Sequence, residues 1–546
     1  MVHIEGLPIE LLHLILSFLA TPDDLEVLNR DKNTKAKDDN ASELEDDDYD
    51  DDEPDEIETL RNVCLVSRKF REVAQPLLFR DFYDDGLDED PSPTISFTKT
   101  IYQRPDLGKH VHQISIMPHP FTPVGPKSLS AEDSEQFKGI IRDLKLADQE
   151  ESWISALERA DLGVVGALLA NKTPNLRVLH LPSLPFRIEP FIQLFDHNPE
   201  FLLSLESIWI ESDDEVSGFD ISSYQKFLTL PKVVTSIFEY GDLFDASFPS
   251  TWQPGTLVTE ELAFHHCHID AGAIKKLMQA CKNLKNFTYN NFSLDPNERR
   301  IMREDVAPEM TAKEAQEAVL LHKDTLELFH LEFAMGHWDV DNAEEIVASH
   351  AKLGSFREFS KLMTILVPHA SLPSHPRFPS SLDTLHITDC NSSIQEMTQN
   401  IATDCKNGLY PKLANFKVFA IDITQPIRLS GQRIPEGKTP EQCFVALRDM
   451  FKGTKVNFQI LPYELPDFDD YGDLDDFGEE IGYEEDFEEP GFGESLPAGD
   501  GGMGPIPPQL FNLLMQRALM DPEFAHLRQE EDSDDDSWET EDSDST

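Results

Sequence analysis

Seven stretches of this chain share one spacing, apolar-x-x-apolar-x-apolar, and that repetition constrains the fold more than any other feature. It occurs as Val111/Ile114/Ile116, Leu176/Leu179/Leu181, Leu205/Ile208/Ile210, Leu284/Phe287/Tyr289, Leu326/Phe329/Leu331, Leu382/Leu385/Ile387 and Leu413/Phe416/Val418. Alternation within each stretch reads as a strand with one face turned inward. A helical pattern and a turn precede the strand in 95–116, 161–184, 270–294, 312–333 and 393–419. Two of the six intervals between starts are 29 and 31 residues, and the other four are longer, 42 to 79. A unit repeated at this period predicts a β/α solenoid. The same alternation also fits a compact α/β domain around a parallel sheet. The number of units and the lack of a phosphate-binding glycine turn after any strand favour the solenoid.

The first residues follow a different pattern. In "LPIELLHLILSFL", residues 7–19, Pro8 suits the first position of a helix. Leu11, Leu12, Ile15, Leu16 and Leu19 recur at helical spacing, and Leu14 and Phe18 widen the apolar surface. A short helix that is apolar on more than one side needs a core on one side and a further neighbour on another. Glu5, Pro8 and Glu10, with no preceding lysine or arginine, argue against a signal peptide. A second helix is expected within 58–83, with Leu60, Val63, Cys64 and Ser67 on one face. Val66, Phe70, Val73 and Ala74 broaden that face, and Pro76 breaks it. The acidic stretch 29–57 between the two reads as an insertion, because loop closure entropy grows only logarithmically with length.

These two segments resemble an F-box. The resemblance rests on Leu7-Pro8, Glu10-Leu11-Leu12, Ile15-Leu16-Ser17-Phe18-Leu19 and Val66-Ser67-Arg68-x-Phe70. The repeats resemble leucine-rich repeats, whose pattern L-x-x-L-x-L-x-x-N/C-x-L is met by "LDTLHITDC" (382–390) up to Cys390. "ELAFHHCHI" (261–269) places Cys267 in the same slot. Over residues 5–461 the chain is similar to fungal F-box proteins with degenerate leucine-rich repeats, above all in 97–116 and 356–368. The resemblance implies three parts: an F-box over 1–83 with its insertion at about 29–57, a repeat solenoid over 84–461, and an acidic tail over 462–546. It further implies a non-catalytic, cofactor-free subunit of a cullin–RING (SCF-type) ubiquitin ligase, cytoplasmic and/or nuclear. The F-box would dock on a Skp-type adaptor, and through it on a cullin, while the repeats hold a protein substrate. Carried over from the family pattern, the adaptor contacts are Leu7, Pro8, Leu11, Leu12, Ile15, Leu16, Val63 and Val66.

Charge narrows the partners. The 546 residues carry a formal charge of -57, concentrated in 38–58 and from about Glu464 onward. Such runs self-repel and bury too little surface to fold, so both are expected to be disordered. The balance argues against nucleic acid, which demands lysine and arginine, and permits basic proteins. No apolar run reaches membrane-spanning length. Six cysteines without a C-x-x-C suit a reducing compartment.

Signals for chemistry are weak. "HHCH", 265–268, is contiguous, so its side chains point to opposite faces rather than converging on a metal. "GDGGMG", 499–504, lacks the Lys-Ser/Thr of a phosphate loop. In the tail, 462–493 interleaves Phe468, Tyr471, Phe477, Tyr483 and Phe487 with acid, the composition either of a solvated tail or of an interaction segment. A short helix is expected at about 508–527, docking back on the repeats or binding a partner. Ser533, Ser537 and Ser543 precede acid, as sites of acid-directed kinases do and as chance acidity also produces. The competing functional reading is a leucine-rich scaffold, non-catalytic, whose acidic tail binds basic and possibly nuclear proteins.

Overall fold

The computed structural model describes residues 7–17, 56–84, 92–116, 129–146, 149–158, 162–183, 188–212, 218–291, 308–333, 351–390, 394–420 and 447–462. The acidic insertion up to residue 55, the tail beyond 462 and its helix at 508–527 lie outside the described residues. Among the described residues the chain begins with three helices, α1 (Ile9–Ser17), α2 (Glu56–Val66) and α3 (Arg68–Leu78). Fifteen strands follow among the described residues. They are β1 (Asp81–Asp84), β2 (Gln113–Ile116), β3 (Val178–Pro182), β4 (Ser207–Glu211), β5 (Phe219–Asp220), β6 (Thr235–Glu239), β7 (Gly241–Leu243), β8 (Glu261–His265), β9 (His268–Ile269), β10 (Asn286–Asn291), β11 (Leu328–Phe333), β12 (Thr364–Pro368), β13 (Thr384–Cys390), β14 (Asn415–Ala420) and β15 (Asn457–Pro462). No helix among the described residues is long and apolar enough to cross a membrane.

The protein is a mixed α/β structure built on a large parallel sheet. Twelve strands pair in the order β1-β2-β3-β4-β6-β8-β10-β11-β12-β13-β14-β15, every pair parallel. The order never reverses, so the described strands contain no switch point of the kind that defines a doubly wound sheet. β5, β7 and β9 form a second, three-stranded parallel sheet directly after β4, β6 and β8. Parallel neighbours need crossover connections. Helices Leu162–Asn171, Glu189–His197, Ala271–Ala280, Ala312–Val319 and Ile394–Lys406 supply several of them.

Register turns the repeat spacing into a core. Phe82, Ile114, Leu179, Ile208, Ser236, Leu262, Phe287, Phe329, Ile365, Leu385, Phe416 and Phe458 fall on one cross-strand row, and all are buried. A second buried row runs two residues on, from Ile116 through Tyr289 to Ile460. Neighbouring rings touch along the rows: Phe238 and Phe264 have centroids 5.8 Å apart, and Phe287 and Phe329 6.0 Å. Tyr289 brings a hydroxyl into this core. It is satisfied by the Cys267 carbonyl at 2.8 Å and by Glu309, as a buried tyrosine requires.

The turn after the strand explains the cysteine slot. Tyr240, His266 and Asp389 adopt left-handed φ of 59°, 52° and 52°. Each reverses the chain so that the next residue points inward. After His266 that residue is Cys267, whose thiol donates to the Phe238 carbonyl and accepts the Gly241 N–H, both at 3.3 Å. After Tyr240 it is Gly241, where an added Cβ would meet the Ile221 side chain at 2.7 Å.

The strands β1, β6, β8, β12 and β15 of the large sheet were not among the seven spaced stretches. In β6 and just before β8 the inward positions hold Ser236 and Thr259, both buried. Polar residues there hide the apolar pattern. β1 lies inside the segment assigned to the helical domain: Phe82 belongs to the sheet's core and Phe79 packs against it, so the sheet begins at 81 rather than after 83. The single second helix expected over 58–83 is two helices and a strand, and Pro76 sits within α3 instead of ending it.

Phe287 is fully buried in the middle of its row. Phe287→Ala is expected to lower unfolding stability by about 3–5 kcal/mol, read from denaturant midpoints. A loss under about 1 kcal/mol would show that the row is not tightly packed.

Candidate functional site

The N-terminal helices have their own small core, separate from that of the sheet. Leu12 and Leu16 of α1 pack with Leu60 and Cys64 of α2 and with Phe70, Val73, Ala74 and Leu77 of α3. Ser67 breaks α2 from α3 by adopting an extended backbone, φ −158° and ψ 169°, and its hydroxyl caps α3 by accepting the Phe70 N–H at 3.3 Å. Lys69 Nζ donates to the Leu7 carbonyl at 2.6 Å and ties the chain start to α3 across the insertion. Arg71 Nε donates to the Cys64 carbonyl at 3.1 Å, closing the α2–α3 corner. Burial pushes the Cys64 thiol up despite the nearby Arg71 charge.

The outer surface of this module is apolar. Ile9, Leu11, Leu14 and Ile15 on α1 and Ile57, Leu65 and Val66 on α2 are all exposed, Leu65 at 71% and Val66 at 66%. These are seven of the thirteen exposed large apolar side chains among the described residues, yet α1 and α2 have only nine and eleven residues. Singly scattered apolar residues are ordinary on a surface, whereas such a concentration sets this face apart from the rest of the described surface.

The structure sorts the eight residues carried over from the F-box pattern. Pro8, Leu11, Ile15 and Val66 face outward. Leu12 and Leu16 are core residues of the module itself. Leu7 and Val63 are half-buried at its edge. Ile9, Leu14 and Leu65 extend the outward set, and helical spacing alone did not single them out. The signal that finds them is the small size of the core, which takes only Leu12 and Leu16 from α1.

The outward face of the large sheet carries a second concentration of side chains, polar and aromatic. Alternation turns His180, Trp209, His330 and His386 away from the core. His180 stacks on Trp209 with centroids 4.3 Å apart and planes at 9°. Its Nδ1 lies 3.0 Å from Ser115 Oγ and its Nε2 3.0 Å from Glu211 Oε2. Serine, histidine and carboxylate stand here in the order of a nucleophile relay. Ser115 is buried at 2% exposure, so the chain of bonds fixes the imidazole rather than presenting a nucleophile. Farther along, His330 Nε2 is 3.3 Å from Glu332 Oε2. Burial lowers His265 and His386 to about 4, and raises the Asp389 carboxyl to about 7 with help from the Glu332 charge.

The four residues of "HHCH" go separate ways. His265 ends β8, His266 stacks on Tyr240 in the left-handed turn, Cys267 is buried and His268 opens β9. Among the described residues no group of three His, Cys, Asp or Glu side chains is placed to hold a metal ion. No protein-family model matches the chain, and no curated protein matches it.

The buried histidines set a pH dependence. His265, His386 and His369 are each held at about 4, below their ordinary 6.5, so unfolding takes up protons between those values and stability falls as pH drops. Asp389 acts oppositely, because its raised carboxyl contributes stability at low pH that is lost as pH rises through about 7. Replacing His265 and His386 together by glutamine is expected to reduce proton uptake on unfolding at pH 5 by about two, measured from the slope of stability against pH. An unchanged slope would mean that these imidazoles are not held neutral.

Proposed function

We propose that this chain is the substrate-recognition subunit of a cullin–RING (SCF-type) ubiquitin ligase, a non-catalytic F-box protein with a leucine-rich-repeat-like solenoid. One observation carries the reading: among the described residues, three helices that pack around Leu12 and Leu16 still expose seven large apolar side chains on α1 and α2. Such a face fits a Skp-type adaptor, which the motif residues from Leu7 to Phe70 also suggest. The strictly sequential parallel sheet and the buried cysteines after left-handed residues support the repeat assignment. In this role the protein performs no chemistry. It raises the local concentration of a bound target beside an activated ubiquitin held by other subunits, turning a bimolecular encounter into a tethered one.

The adaptor test uses residues that face outward. The full chain is expected to bind a purified Skp-type adaptor, and Leu11→Arg with Ile15→Arg is expected to weaken binding at least about 100-fold, near 3 kcal/mol, in titration calorimetry. Circular dichroism of the variant should match the parent, since neither side chain is in the core. Failure of the parent to bind, or equal binding by the variant, contradicts the reading.

A second reading follows from the charge of the tail alone: a scaffold that gathers basic proteins. Binding of that kind falls steeply with salt. It disappears with residues 463–546, whereas adaptor binding survives their removal.

A further inference from the structure

The hydrogen-bonded ladder of the large sheet runs one step beyond the starts of its first strands. The Arg177 N–H donates to the His112 carbonyl at 2.7 Å, the Glu206 N–H to the Arg177 carbonyl at 2.7 Å and the Val234 N–H to the Glu206 carbonyl at 2.9 Å. Neighbouring strands lie about 4.8 Å apart, so the residues just before β2, β3, β4 and β6 stand side by side at the N-terminal edge of the sheet. There His112, Asn175, Arg177, Ser204, Glu206 and Lys232 line a cleft of 330 Å³. Small-molecule sites have volumes of about 300–1,000 Å³ and mostly apolar walls. This cleft has the volume, but every residue lining it is polar or charged.

The protein leaves the charges of the cleft unanswered. With 103 acidic residues against 46 basic ones, cations on the sheet domain readily find a carboxylate: Lys226 pairs with Asp196, Lys276 with Asp245 at 2.6 Å and Lys323 with Glu358 at 3.0 Å. Arg177 and Lys232 are exposed and make no ion pair among the described residues, although Glu206 stands on the strand between theirs and is itself unpaired there. The Asn175 amide is fixed by donating to the Lys109 carbonyl at 2.7 Å. Burial and the Arg177 charge, with Arg80 and His110 adding, hold the His112 imidazole below its ordinary value against the pull of Asp81. Positive charge thus gathers at the β2–β3 end of the cleft, with a carboxylate in the middle and Lys232 at the β6 end.

We propose that this cleft binds a sugar phosphate, with the phosphate at Arg177 and the sugar hydroxyls at Glu206. The planar fork of a guanidinium suits a phosphate oxyanion, and the His112 ring lies beside it. Hydroxyls donate to the Glu206 carboxylate and accept from Lys232 and the Ser204 hydroxyl. A bare anion would meet Glu206 as a like charge, and a neutral sugar would leave Arg177 unanswered. A ligand carrying both groups satisfies the whole lining. The formal charge of -57 repels anions at long range, so binding here depends on these local cations. The cleft shares no residue with the α1–α2 face, and the proposal stands or falls independently of the ligase reading.

The test is titration calorimetry of the full chain with glucose 6-phosphate, and with inorganic phosphate and glucose as its two halves. Glucose 6-phosphate is expected to bind more tightly than either half. Arg177→Gln is expected to weaken its binding at least about tenfold. Glu206→Gln separates the two groups of the ligand: it is expected to weaken glucose 6-phosphate at least about threefold, while inorganic phosphate binds as well or better. Lys412→Gln, at an exposed lysine just before β14, should change neither. Circular dichroism checks that each variant is folded, and exposed Arg177 gives a variant with no packing to lose. No binding of glucose 6-phosphate at millimolar concentration, or equal affinity for inorganic phosphate, overturns the proposal. Tighter glucose 6-phosphate binding by Glu206→Gln overturns it too, because the carboxylate would then only repel.

Discussion

Parallel pairing in strict chain order is the constraint on which the sheet domain depends. Each strand must offer its neighbour the same inward position, and the row from Phe82 to Phe458 meets that demand twelve times. No strand can bury its inward face against a distant partner. Its core is made by the strands before and after it. This suits large aromatics along the rows, as at Phe287 and Phe329 and at Phe416 and Phe458, where rings touch rings. It also explains the tolerance for Ser236 within a row, flanked as it is by Ile208 and Leu262.

The same geometry separates scaffold from surface. Inward positions are committed to packing, while the alternate positions are left to vary, and here they hold His180, Trp209, Glu211, Glu239 and Glu332. The N-terminal helices divide in a parallel way. Leu12 and Leu16 lie in the module's core, and their neighbours Leu11 and Ile15, one helical step round, are left exposed.

Much of this was legible in the sequence. The triplets such as Leu382/Leu385/Ile387 gave both the strands and their inward faces, because a period of two leaves little freedom once one face is buried. The helix–strand order in 161–184 and 270–294 was visible for the same reason. Polar residues at inward positions, Ser236 and Thr259, hid β6 and β8, and brevity hid β1, whereas β12 carries the full spacing in Leu362, Ile365 and Val367 and was overlooked. The division of the helix leucines between core and surface was not readable, since helical spacing marks Leu11 and Leu12 alike. It took the position of α3, with Phe70 and Val73 against Leu12, to decide it. The cleft at the sheet's N-terminal edge was invisible for a different reason: His112 and Lys232 are 120 positions apart, and only register brings them together.

Hydrogen–deuterium exchange of the full chain, with and without a saturating purified Skp-type adaptor, tests the central claim most directly. The account predicts slowed exchange in residues 9–17 and 56–66, with the strands from β3 to β15 unchanged. Unaltered exchange in those two helices, or protection confined to the sheet, would contradict it.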